Sequence, residues 1–358
     1  MKGTGQIMKI INYGIIGCGL IADYHARAVL ELEKTRPVKL YGVVDVRREA
    51  AEKFAAKYNI KVFDTIDDML ASPEIDAVSI CTPSGFHSDL AVKAANHGKH
   101  IVVEKPMAIT KEQLEAVVAA CDSNNVKLSS VAQMRFSKNI QLTREAIKSG
   151  RLGRMVCGDV YMKYYRSPEY YAAGGWRGTV KLDGGGALMN QGIHGIDILE
   201  YIMGPVKSVY AITRTLARKI EVEDTAVCVL EYESGALGVI EGTTSVYPGY
   251  EKRFEFHGDK GTIKLEEDSF IDWNIEGEEV PPEVVFEASH GSSASRPDSI
   301  DVDGHVRNIG DLIDSIVENR SPLIDQHEGK MPVDLILAIY ESNRTGRPVD
   351  MKEFRSRK

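Results

Sequence analysis

Two α/β domains, a doubly wound parallel sheet followed by a large open, mainly antiparallel sheet, are what this sequence predicts, and three observations predict them. The chain has 358 residues, against a usual domain size of roughly 100 to 200 residues. From Lys9 to about Val131, short β-branched runs alternate with longer amphipathic segments, the rhythm of βαβ units. After Gly150 the pattern changes to long strands separated by hairpin-sized turns, which imply antiparallel pairing. The expected division is 8–131 for a dinucleotide-binding domain and 132–358 for a substrate-binding and oligomerisation domain. The C-terminal end of the latter is a candidate for packing back on the first domain.

In the first half the expected strands are Ile10–Ile16, Lys39–Val44, Asp76–Cys81, His100–Val103 and Lys127–Val131. Between them, Ala22–Glu33 places Ala22, His25, Ala28, Val29 and Leu32 on one helical face, and Lys111–Cys121 reads as a second helix. In the second half the expected strands are Gly153–Tyr165, Val206–Leu216, Thr225–Tyr232, Ala236–Ser245, Arg253–His257 and Thr262–Leu265. A helix from Gly186 to about Met203 interrupts them, Glu278–Ile300 reads as a mobile Ser/Pro/Glu-rich excursion, and helices at Asp303–Asn319 and Val333–Asn343 close the chain.

Composition narrows the function. Hydrophobic residues make up 43% and charged residues 27%, enough for a buried core. A formal charge of −8 is a poor match for nucleic acid or an anionic membrane surface, so neither is an expected partner. Five widely spaced cysteines without C-x-x-C point to a reducing compartment, no metal site is evident, and the N-terminus reads as a strand entering a loop rather than a signal peptide. No stretch approaches the roughly 20 apolar residues of a membrane span, and the expected location is cytoplasmic.

The first chemical signal is Gly17-Cys18-Gly19-Leu20-Ile21-Ala22, a G-x-G-x-x-A sequence between an apolar strand and a helix. Gly17 permits a tight turn, Gly19 lets the backbone approach a pyrophosphate, and the helix N-terminus presents free N–H groups to the anion. Asp45, which closes the run Leu40–Val44, is placed to accept hydrogen bonds from the ribose hydroxyls of NAD and to repel a 2′-phosphate. It is also a good helix cap ahead of Arg47-Arg48-Glu49, and the two readings are compatible. Arg47 and Arg48 leave NADP as the less favoured cofactor. Two further loops, Cys81-Thr82-Pro83-Ser84-Gly85-Phe86-His87 and Glu104-Lys105-Pro106, end strands on the same side of the sheet and are expected to flank the cofactor.

On these motifs, together with Gly184-Gly-Gly186 and His194-x-x-Asp197, the chain resembles the Gfo/Idh/MocA oxidoreductases over about residues 9 to 350. The resemblance implies a Rossmann domain and an α/β domain built on a large open sheet. It places Lys105 beside the nicotinamide and the substrate, makes His194 the acid/base, sets Gln133 near the nicotinamide, and leaves His87 as packing under the cofactor. Asn190 stands where many members carry Asp; an amide cannot be a base, so its expected role is to orient a substrate hydroxyl. Asn190, His194 and Asp197 are expected on one helical face, Asp197 holding the imidazole tautomer. A buried His194–Asp197 pair fastening helix to sheet is the alternative. Arg166, Trp176 and Arg177 are expected to reach the substrate, although Lys163, Tyr165 and Arg166 also read as a solvated positive patch.

The segment from Trp176-Arg177 through His194 to Glu221-Val-Glu-Asp224-Thr225 looks most like the branch that holds nucleotide-sugar 3-dehydrogenases. The expectation is an NAD-dependent dehydrogenase acting on a secondary alcohol of a sugar, nucleotide-sugar or cyclic polyol, as a homodimer or homotetramer paired through the C-terminal sheet. An inositol or free-sugar dehydrogenase, an NAD-dependent glycosidase of the same family, and a non-catalytic NAD-binding sensor are the alternatives.

Overall fold

The structure is a computed structural model that describes residues 9–173, 175–286 and 302–357. In the first half the elements run β1 (Ile11–Ile16), α1 (Leu20–Leu32), β2 (Val38–Val44), α2 (Arg48–Tyr58), β3 (Lys61–Val62), α3 (Ile66–Ala71), β4 (Ala77–Ile80), α4 (His87–Asn96), β5 (His100–Val103), α5 (Lys111–Asn124) and β6 (Leu128–Ser130). The six strands pair in the order β3-β2-β1-β4-β5-β6, every pair parallel, so the strand order reverses beside β1. This is the doubly wound arrangement that the sequence predicts, with its switch point where the glycine loop leaves β1.

The second half continues with α6 (Lys138–Lys148), β7 (Met155–Lys163), α7 (Pro168–Ala172), a π turn (Ala187–Gly192), α8 (Ile193–Met203), β8 (Val206–Arg214), β9 (Thr225–Tyr232), β10 (Leu237–Thr243), β11 (Arg253–Gly258), β12 (Gly261–Glu266) and β13 (Ser269–Ile275). Helices α9 (Val302–Glu318) and α10 (Gln326–Thr345), strand β14 (Val349–Asp350) and helix α11 (Met351–Ser356) complete the chain. The eight strands run β13-β12-β11-β7-β10-β9-β8-β14, antiparallel except for the β7–β10 pair. Alternation sets the faces: Ala226, Cys228, Leu230 and Tyr232 of β9 are buried while Val227 and Val229 are about half exposed.

The chain divides into two compact units. One comprises the described residues up to Met107, Gln113–Val131 and the described part of 301–329; the other comprises Ala108–Glu112, the described part of 132–300, and 330–357. Helix α9 therefore belongs to the first unit although it follows strands β7 to β13 of the second unit in sequence. Its Ile309, Leu312 and Ile313 join Ala28, Val29 and Leu32 of α1 in one buried cluster.

One sequence expectation needs correction. The helix expected from Gly186 begins as a π turn, and regular α-helix starts only at Ile193. Buried Glu223, outside the segment, accepts the N–H groups of Gly186 and Leu188 at 2.9 Å each, satisfying donors that a helix start leaves without intrahelical partners. A Cβ on Gly186 would stand 1.8 Å from the Glu223 carbonyl, so only glycine admits that approach. In the excursion expected at 278–300, residues up to Phe286 lack regular structure and Val284 is buried; the remainder lies outside the described residues.

Candidate active site

In the first unit the glycine loop is set by sterics. Gly17 has φ +96°, and a Cβ there would meet the Cys81 carbonyl oxygen at 2.8 Å; a Cβ on Gly19 would enter open space. Helix α1 starts at Leu20 with Gly19 as its cap residue and no side-chain cap, so its first N–H groups have no side-chain acceptor. Leu20 is exposed and Ile21 half-buried at that helix start. Asp45 braces the loop, accepting the Cys18 N–H at 2.8 Å with Oδ2 and the Arg47 N–H at 2.8 Å with Oδ1. It therefore stands before the cap position of α2, which Arg47 occupies, and still has lone pairs for further donors. Burial, reinforced by the Asp45 charge, pushes the Cys18 thiol up to about 12, so it is not a nucleophile at neutral pH.

Beyond β4, Cys81 is buried, and the Thr82 hydroxyl oxygen is buried without a hydrogen-bond partner. His87 lies under this loop, fully buried, with Nε2 at 2.8 Å from the Thr82 carbonyl and Nδ1 at 2.7 Å from the Pro106 carbonyl. Burial lowers its pKa while the two carbonyls oppose that shift. It thus ties the Cys81-Thr82-Pro83 loop to the Glu104-Lys105-Pro106 loop. Glu104 is buried, with Oε1 at 2.9 Å from His25 Nε2 and 3.4 Å from His305 Nε2. His305, which the sequence offers as an ordinary helix residue, is a partner that local pattern gave no sign of.

The second unit builds a different kind of site. Arg135, in the turn Gln133–Phe136, gives Asp197 three hydrogen bonds of 2.7 to 3.1 Å, and both residues are buried. Both oxygens of Asp197 are thus engaged by a guanidinium, and the ion pair fastens α8, which carries His194, to the turn that carries Gln133. The Gln133 Oε1 atom is buried without a hydrogen-bond partner. Asn190 gives its amide N–H to Asp183, and its carbonyl oxygen accepts from Gln191 at 2.8 Å. Asp183, a residue sequence reasoning passed over, thereby supplies a buried carboxylate beside the amide.

Around this centre stand arginines on aromatic rings. Arg166 is buried, donates to Gln191 Oε1 at 2.6 Å, and lies 5.7 Å from the ring centres of Tyr164 and Tyr170. Arg177 lies 4.6 Å over Tyr170 and 5.2 Å over Trp176; Arg218 lies 5.2 Å over Tyr165. Arg177 donates to the Ala173 carbonyl and Arg218 to the Arg166 carbonyl, each at 2.8 Å, while Arg177 Nε and Arg218 Nη2 are buried without hydrogen-bond partners. Asp224 shapes the Arg218 loop by accepting the N–H groups of Leu216, Ala217 and Arg218.

The residues of the first unit fit a dinucleotide: an uncapped helix N-terminus, a glycine whose Cβ would fill the approach, and a carboxylate one strand away. Such a fold and site define a dinucleotide-dependent oxidoreductase. Residues 11–132 match the oxidoreductase family with an NAD-binding Rossmann fold, and residues 140–264 match the GFO/IDH/MocA C-terminal domain; the chain belongs to that family. It is 36% identical to the WlbA dehydrogenase of Bordetella pertussis, solved in complex with NADH and UDP-GlcNAcA, with 96% of this chain and 99% of that one covered at a TM-score of 0.84. The WlbA dehydrogenase of Chromobacterium violaceum, in complex with the same two molecules, is 32% identical over 96% of each chain with a TM-score of 0.86. Myo-inositol 2-dehydrogenase of Thermotoga maritima is 27% identical over 96% of this chain and 99% of its own length.

Proposed function

We propose that this chain is an NAD-dependent dehydrogenase that interconverts a secondary alcohol and a ketone on an anionic, nucleotide-linked sugar. One observation carries the choice of sugar: Arg177 and Arg218 rest on aromatic rings, and each has a buried nitrogen without a hydrogen-bond partner. A neutral polyol gives such guanidinium groups little, whereas a phosphate or carboxylate satisfies them. The relatives solved with UDP-GlcNAcA support the same choice over myo-inositol.

Bound NAD supplies the acceptor or donor of the hydride. In the oxidative direction His194 takes the hydroxyl proton, and Lys105 gives a hydrogen bond to the oxygen as it becomes a carbonyl. Asn190, held by Asp183 and Gln191, orients a neighbouring hydroxyl. Asp197, paired with Arg135, fixes the helix from which His194 projects. Thr82 and Gln133 offer their buried oxygens to the cofactor, and Asp45 selects NAD over NADP.

The same reading includes a cytoplasmic homodimer or homotetramer paired through the C-terminal sheet. Tyr210 faces Val229 and Ile212 faces Val227 across β8 and β9, and all four are 40% to 53% exposed, an apolar stripe suited to a second copy. A concentration-independent monomer in light scattering would remove that part.

The test is a panel of UDP-sugar acids, neutral UDP-sugars, free sugars and myo-inositol, assayed with NAD and NADP. UDP-sugar acids are expected to give the highest kcat/KM, and Arg177→Met or Arg218→Met to raise their KM by about tenfold. Preference for myo-inositol, unaltered in both variants, would overturn the choice of substrate.

A further inference from the structure

Glu104 precedes the proposed catalytic lysine, and its surroundings are not those of a cofactor ligand. It is 6% exposed, its Oε1 atom receives the His25 and His305 Nε2 groups, and its Oε2 atom accepts the Lys105 backbone N–H at 3.2 Å. We propose that Glu104 is a positioning residue for Lys105: a carboxylate gripped by two buried histidines, which fixes the Glu104–Lys105–Pro106 turn without touching the cofactor. The proposal rests on the dehydrogenase reading for the role of Lys105.

Proton bookkeeping gives the grip a direction. An ionised carboxylate only accepts, so His25 and His305 each carry a proton on Nε2. The other nitrogen of neutral His25 is then an acceptor, and the Ser79 hydroxyl lies 2.7 Å from it. Ser79 Oγ in turn lies 2.7 Å from the Tyr13 hydroxyl, so the donors run Tyr13 to Ser79 to His25 to Glu104. Burial disfavours the charge on Glu104, yet the two histidine donors outweigh it and hold the carboxyl well below its ordinary range; burial likewise lowers the His25 pKa. His305 Nδ1 is buried without a partner, so the polar anchorage of that ring is Glu104 itself.

The grip spans four elements of one unit: Tyr13 on β1, His25 on α1, Ser79 on β4 and His305 on α9. On the far side of Lys105, His87 holds the Pro106 carbonyl at 2.7 Å. Lys105 thus springs from a turn anchored on both sides by buried imidazoles. Its charge and that of Glu104 both act on His87, while Cys81 also faces the carboxylate, so removing the carboxylate changes the field around the turn that carries Lys105.

The experiment compares the full-length wild type with Glu104→Gln and, as a second route should that variant fold poorly, His305→Gln. Expected are an NADH dissociation constant within about twofold of wild type, a kcat lowered at least about tenfold at little-changed KM, and a kcat–pH profile displaced to lower pH in Glu104→Gln. NADH binding that weakens in step with kcat would make Glu104 a cofactor ligand; an unchanged kcat and profile beside a lowered melting point would make it packing alone. Either result overturns the proposal while the dehydrogenase reading stands. If the wild type turns over no substrate of the panel, that reading falls instead. The histidine 15N spectrum of the NADH-bound protein then decides: His25 and His305 both protonated on Nε2 in wild type and released in Glu104→Gln sustain the grip, and freely titrating rings refute it.

Discussion

The two units hold charge in opposite ways. The first presents main-chain N–H groups at a helix start and keeps the Glu104 carboxylate buried among histidines. The second presents guanidinium groups on aromatic rings, set by side-chain bonds among Tyr170, Gln191, Asn190 and Asp183. A site made of backbone is fixed by sterics and tolerates most side-chain changes except at its glycines. A site made of side chains is rebuilt by each substitution, which is where a family can vary its substrate while keeping its cofactor.

The largest expected effect tests whether chemistry needs both units. Lys105→Met and His194→Ala should each lower kcat by about a thousandfold while NADH binding stays within about twofold, measured by steady-state kinetics and fluorescence titration. A His194→Ala protein with wild-type turnover would leave the second unit a binding role only. Next, Asp45→Ala removes two backbone anchors of the glycine loop together with the proposed ribose contact. NAD affinity should fall by about tenfold or more, and the preference for NAD over NADP should shrink; unaltered preference would sever Asp45 from the adenosine.

The smallest effect concerns stability. Glu200 on α8 is buried 3.3 Å from Arg355, and burial, only partly offset by Arg355, lifts its carboxyl from 4.5 to about 7. Between those pH values the folded protein binds a proton that the unfolded chain has lost, so stability falls as pH rises from about 4.5 to about 7 and then levels. Glu200→Gln should raise the melting temperature at pH 8 by roughly 4 °C and change it little at pH 4.5. Equal shifts at both pH values would show that packing, not ionisation, is responsible.

How much of this was legible follows from the range of each interaction. Strands His100–Val103 and Thr225–Tyr232 stand where apolar runs and alternation put them, because one face or two must be buried. The alternation in Ser269–Ile275 is diluted by Asp272 and Asn274, and that strand went unread; so did α6, whose apolar residues are few. Lys105, His194 and the glycines announce themselves through short motifs. The partners do not: Arg135 is 62 residues from Asp197, and His305 is 201 from Glu104. The carboxylate that caps the π turn is equally silent, since Glu223 lies 35 residues beyond Leu188.

Helix α9 has a consequence for how the chain is born. Ala28, Val29 and Leu32 of α1 find part of their cover on Ile309, Leu312 and Ile313, and Gly310 lets Leu32 come close. During synthesis the whole parallel sheet leaves the ribosome first, then strands β7 to β13 of the second sheet, and only afterwards the helix that covers α1. At ~5–20 residues per second, the apolar face of α1 waits on the order of ten seconds or longer for its cover. The half of the molecule that begins first is therefore finished only after most of the other half has been made.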